Sequence, residues 1–132
     1  MVLRAWVEDD GGGGLRVRIM KSSDATRSET ETLTVASIED ASAAVRDWLE
    51  ALCERLAEGG DYAGAIEAGL AAVRDEPLRE SSHRALIRAH LAEGNSSEAL
   101  RQYGIFRGML RNELGLDPSP RMEALLLGVT HQ

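Results

Sequence analysis

The sequence predicts an α+β chain: a small N-terminal antiparallel β-hairpin or sheet plus a helix, then a helical bundle. Three observations carry that expectation. Apolar and polar residues alternate over 2–8 and again over 15–20. From Ile38 the apolar spacing becomes helical. Beyond it, similar residues recur 34 positions apart, as at Gly60 and Gly94.

The first strand is read over Val2–Glu8, with Leu3, Ala5 and Val7 on one face and Arg4, Trp6 and Glu8 on the other. A second follows over Leu15–Met20, with Leu15, Val17 and Ile19 opposite Arg16 and Arg18. Period-two alternation marks strands with one buried face. Asp9-Asp10 and the run Gly11–Gly14 between them form the hairpin turn. That glycine run is no phosphate loop, because no Lys-Ser/Thr follows and it enters a strand rather than a helix. Residues 21–31, KSSDATRSETE, read as a polar loop, and Thr32–Ala36 as a third short strand with Leu33 and Val35 inward. Ser37 with Asp40 three residues on is a capping-box-like start for a helix. Its apolar stripe runs Ile38, Ala41, Val45, Trp48, Leu49, Leu52 and Leu56, and it should cover the sheet. Trp6 lies on the other sheet face. It either packs beside Arg16 and Arg18 or marks a self-association surface.

From about Arg46 two helix-turn-helix units follow, Arg46–Arg79 and Glu80–Glu113. Leu52 and Leu86, Ala65 and Ala99, and Ile66 and Leu100 are each 34 apart. That period is the tetratricopeptide spacing, so the expected bundle is tetratricopeptide-like. Glycine permits the tight turn, alanine lets paired helices approach, and Pro77 ends the first unit. The second unit departs at His83, His90 and Arg111. Its last helix should run on to Gly115, a C-cap before Pro118 and Pro120, with a closing helix over Arg121–Leu127.

Composition narrows function. At 132 residues with net charge −7, the chain is one domain or a compact unit with an N-terminal extension. Residues 1–58 carry −5 and residues 59–132 carry −2, which argues against direct nucleic-acid binding. No long apolar run predicts a membrane span, and the lone Cys53 allows no internal disulfide, so a cytoplasmic location is expected. Cys53 reads as a packing residue and His83 and His90, seven apart, as structural rather than metal-binding. No catalytic constellation can be assembled. The expectation is a non-enzyme without metal or cofactor.

The 77–120 segment resembles the bacterial transcriptional activator domain of Streptomyces-type antibiotic regulatory proteins. Pro77, Leu78, Arg79, Glu80 and His83 match its Pro-Leu-Arg-Glu…His start, and Ala99, Leu100 and Tyr103 its Ala-Leu-x-x-Tyr helix. Glu113, Leu114, Gly115, Leu116, Pro118, Ser119 and Pro120 match its Glu-Leu-Gly-(Leu/Ile)-x-Pro-(Ser/Gly)-Pro end. The likeness spans about residues 45–128, so the chain divides into 1–44, strands plus the start of the first helix, and 45–132, the helical domain. In that family the domain follows a DNA-binding winged helix, for which residues 1–44 leave no room. The resemblance implies a protein–protein interaction or regulatory module of a transcriptional regulator, lacking its own DNA-binding part. Its partner would be another regulator or an RNA polymerase component, with a homodimer as a further option for which Trp6 is the self-association residue. A general scaffold or a small-ligand sensor with a pocket between sheet and bundle is the alternative. Tetratricopeptide units use the concave face of their first helices. By register that face is Asp47, Glu50, Glu54 and Glu58, then Ser81, Arg84, Arg88 and Leu91, an acidic stretch facing a basic one. Either these charges neutralise one another or they line a partner-binding groove.

Overall fold

A computed structural model describes residues 2–9, 11–12, 14–24, 27–35 and 37–130. The chain falls into two units, residues 1–48 and 49–132.

In the first unit three strands, β1 (Val2–Asp9), β2 (Leu15–Asp24) and β3 (Arg27–Val35), form an antiparallel sheet in the order β1-β2-β3. β1 and β2 pair in the register Trp6↔Arg18 and Val7↔Val17. Asp9 closes the turn by accepting from the Gly11 amide at 2.9 Å, and Gly11 takes a φ of 78°. The polar segment 21–31 is not the loop its composition suggests. Residues 21–24 and 27–31 are paired strand, with an irregularity between Ser22 and Asp24. Ser, Thr and Glu alternate there without an apolar face, so the ladder is set by backbone pairing and gives no hydrophobic signal. Ala36, expected to end the third strand, and Gly13 lie outside the described residues, as do His131 and the side chains of Leu3, Ala5, Leu33 and Val35.

Helix α1 (Ile38–Glu58) starts as its sequence implies, with the Asp40 amide donating to Ser37 Oγ at 3.1 Å. Its first half buries Ala41 against Val17 and Ile19, with Val45 and Trp48 packed alongside. Ile38 does not join this stripe. It is 68% exposed, being the first helical residue and outside the covered face.

The second unit holds the rest of α1 and α2 (Tyr62–Asp75), α3 (Glu80–Glu93), α4 (Ser96–Leu114) and α5 (Pro120–Thr130). The 34-residue repeat is visible in hydrogen bonds. Gly60 and Gly94 both adopt left-handed φ, 85° and 87°. The next amide in each turn, Asp61 and Asn95, reaches back to Leu56 O (2.8 Å) and His90 O (2.9 Å). That is the six-residue Schellman closure, which only a residue tolerant of positive φ can make cheaply. Asp61 and Asn95 then cap the following helices, accepting from the Gly64 and Glu98 amides at 3.0 and 3.3 Å. One short segment therefore ends one helix and starts the next, twice.

Small residues set the spacing. Helix α2 buries Gly64, Ala65, Ala68, Gly69 and Ala72. A Cβ on Gly69 would meet Leu86 Cδ1 at 3.1 Å and Cys53 Sγ at 3.2 Å. Helix α3 is buried through Ala85, Leu86, Ile87 and Ala89. Its far side builds a second core of Ile87, Ala99, Phe106, Leu110, Met122 and Leu126. Helix α4 runs past the repeat length to a left-handed cap at Gly115, φ 64°. Helix α5 begins at Pro120, whose fixed φ suits a first helical position.

Replacing Gly69 with Val should cost about 2 kcal/mol, since overpacking at this approach outweighs any helix-propensity gain. Chemical denaturation would show a lower midpoint with unchanged slope.

Candidate functional site

The sequence-derived groove residues separate into four groups. Glu50 is structural. Its Oε1 accepts from Ser82 Oγ at 2.6 Å, Ser81 Oγ at 2.8 Å and Arg79 Nε at 3.1 Å. Ser82 is fully buried, so this carboxylate satisfies a hydroxyl with no access to water. Arg84 is likewise engaged, with Glu80 at 3.1 Å one turn earlier on α3. Glu80 in turn holds the amide of Ser119 at 3.1 Å and the Ser119 hydroxyl, tying the start of α5 to the start of α3. Leu91 faces away from these charges and packs on the α3–α4–α5 core. Asp47 is exposed on the part of α1 that belongs to the first unit.

What remains is a hollow of about 320 Å³ between the end of α1 and the middle of α3. Ala57, Ala85 and Ala92 form its apolar lining, and Glu54, Glu58 and Arg88 its charged rim. Arg88 Nη1 and Glu54 Oε1 meet at 3.2 Å with both side chains about half exposed (51% and 49%). An exposed pair of this kind contributes on the order of 0.2–1 kcal/mol and can exchange partners. Glu54 and Arg88 occupy equivalent positions, as do Glu58 and Ala92. The stripe on α3 runs 85, 88, 92 rather than 84, 88, 91. Helical periodicity of 3.6 residues allows either after Arg88, and only packing decides.

The histidines have packing roles at His83 and an open one at His90. His83 is fully buried, with Nε2 2.6 Å from Pro77 O and Nδ1 2.9 Å from Gln102 Nε2. A carbonyl only accepts, so Nε2 carries the proton and Nδ1 accepts from Gln102. The ring lies 4.4 Å from that of Phe106. Burial pushes its pKa below the ordinary 6.5. Nδ1 of His90 is buried without a hydrogen-bond partner among the described residues. Cys53 is buried with Sγ 3.4 Å from Ala85 O, and burial, with help from Glu54, raises its pKa to about 11. Such a thiol is a poor nucleophile. Among the described residues no group of three or more His, Cys, Asp or Glu is placed to hold a metal, and no helix is long and apolar enough to cross a membrane.

Trp6 is 37% exposed and paired by register with Arg18. Its Nε1 donates to Glu8 Oε1 at 2.9 Å, and Glu8 Oε2 meets Arg18 at 3.5 Å. The indole is thus braced beside an arginine and still open to solvent.

Glu50→Ala should destabilise the fold by about 2–3 kcal/mol, because it strands Ser82 and releases Arg79; urea unfolding measures it. His83 gives a second prediction. Its folded-state pKa is depressed, so the unfolded chain takes up a proton first as pH falls below about 6.5. The stability linked to His83 is complete above that value and is lost as pH falls through the folded-state pKa. The melting temperature should therefore drop between pH 7.5 and 5, with a flatter dependence in His83→Gln.

A family model described as the bacterial transcriptional activator domain matches residues 23–129. The match begins inside β2 and so takes in β3 and all of α1, earlier than the point near residue 45 from which the likeness was read. No curated protein and no solved structure gives a match. The structure supplies a reason for two of the family's motifs. The Pro-Leu-Arg-Glu…His segment and the Leu-x-Pro-Ser-Pro segment are joined by Glu80 and Ser119, and His83 is held by the carbonyl of Pro77. With most of its length matched, this chain belongs to the bacterial transcriptional activator domain family.

Proposed function

We propose that this chain is a non-enzymatic protein–protein interaction module of a bacterial transcriptional regulator. It works as a tetratricopeptide-like unit inside the cytoplasm, and it acts through a bound protein rather than by its own contact with DNA. The observation that carries the reading is the hollow between α1 and α3, lined by Ala57, Ala85 and Ala92 and rimmed by Glu54, Glu58 and Arg88. Alanines there leave room for the side chains of a partner segment. The rim offers both signs of charge at positions where neither is needed for folding, since Glu54 and Arg88 are half exposed. The acidic balance of −7 disfavours a phosphate backbone as the direct target. The partner is an RNA polymerase component or a DNA-binding regulator. Self-association through the first unit, at Trp6, belongs to the same reading.

The test is direct binding of the purified chain to RNA polymerase holoenzyme and to a winged-helix DNA-binding regulator from the same cytoplasm, followed by anisotropy. Wild type should bind one of them. Ala92→Trp, which fills the hollow from an exposed position, should weaken that binding at least about tenfold, or about 1.4 kcal/mol, with an unchanged melting curve. Binding that survives Ala92→Trp removes the hollow as the docking site. Failure of wild type to bind either protein sinks the reading.

A further inference from the structure

Three features of β1 converge on one partner. β1 pairs with β2 alone, so among the described residues its other edge carries unpaired backbone donors and acceptors. Such an edge is a template for another strand unless something blunts it. Second, large apolar residues stay open on both faces beside that edge. Val7 is 45% exposed and Trp6 37%. The helix cover reaches Val17 and Ile19 on β2, and no further outward at Val7.

The third feature is the order of charges. Arg4, Trp6 and Glu8 project from one face, because alternate strand residues share a face. Arg4 is exposed and has no partner among the described residues. When a strand pairs antiparallel with its own copy about a twofold axis at Trp6, Arg4 of each copy falls opposite Glu8 of the other. Trp6 then meets Trp6, and Val7 gains a neighbouring strand. Opposite charges and aromatic pairs directly across an antiparallel ladder are both stabilising. Moving the axis by one residue places Trp6 opposite Arg4 or Glu8 and leaves a charge unmatched, so the sequence selects a single register. Charges that would deter random edge pairing are here self-complementary.

We propose that the β1 edge is a homodimer interface, in which two copies pair antiparallel about Trp6 to make one continuous six-stranded sheet. The proposal rests on the self-association reading and is independent of the hollow between α1 and α3. Glu8 keeps its bonds to Trp6 Nε1 and Arg18 on the same face, so the dimer adds a cation beside a carboxylate that is already oriented.

Disulfide trapping tests the register, helped by the burial of Cys53, the one native thiol. At the twofold axis, a cysteine in place of Trp6 lies roughly 4.5–5.5 Å from its counterpart in Cα separation, within disulfide reach. A cysteine in place of Arg4 is offset from its counterpart by four residues, roughly 13 Å, and is out of reach. Oxidised Trp6→Cys should migrate as a covalent dimer, and Arg4→Cys as a monomer. Light scattering should show wild type as a concentration-dependent dimer. Arg4→Glu, which sets like charges opposite one another twice, should raise the dimer dissociation constant at least about tenfold while leaving the far-ultraviolet dichroism spectrum of the folded chain unchanged. A wild-type chain that is monomeric at every concentration overturns both self-association and this interface. A dimer that crosslinks through Arg4→Cys, or is indifferent to Arg4→Glu, overturns the interface and leaves self-association standing. If Trp6→Cys fails to fold, the Arg4 variants still decide the matter.

Discussion

The second unit depends on how the first turn of α3 is held. Helix α3 has no side-chain N-cap of its own: Arg79 occupies that position and makes no such bond. Two carboxylates do the ordering instead. Glu50 arrives from α1 and gathers Arg79, Ser81 and Ser82, while Glu80 holds Ser119 at the threshold of α5. Negative charge at a helix N-terminus is favoured by the exposed amides and the aligned peptide dipoles. Three helices thus take their register from one turn. The apolar contacts along α3 can then form in one arrangement only.

Around that turn, volume is distributed unevenly. Glycine and alanine on α2 bring it close to α1 and α3, whereas Phe106, Met122 and Leu126 fill the wider space under α4 and α5. Close approach on one side of α3 and bulk on the other leave its third side, toward the end of α1, with alanines as its only apolar lining and Glu54, Glu58 and Arg88 at the rim.

Much of this is legible in the sequence, for identifiable reasons. The repeat shows because glycine is nearly obligatory at φ near +85°, so Gly60 and Gly94 announce themselves. Asp61 and Asn95 carry the same information one position later, as cap residues 34 apart, a signal equally open to sequence reading. The burial of His83 was foreseeable as packing, but its bond to Gln102 joins residues on different helices and leaves no local trace. Glu50 reads as a groove residue because its partners lie some thirty positions away and a carboxylate on a helix looks solvated by default. The strand content of 21–31 is hidden for the opposite reason. Backbone pairing needs no apolar pattern, so this stretch carries no periodic mark of its strands.

One feature of composition has a practical consequence for anyone following this molecule in solution. Its two tryptophans, Trp6 and Trp48, both belong to the first unit, and the second unit has none. Indole emission therefore reports on the sheet and the first half of α1. Far-ultraviolet dichroism is dominated by α2 through α5. The two signals watch different halves of one chain joined by a single unbroken helix, Ile38–Glu58. Their midpoints coincide if the two units unfold in one cooperative step and separate if each unfolds on its own, which two ordinary optical measurements on the unmodified protein read out.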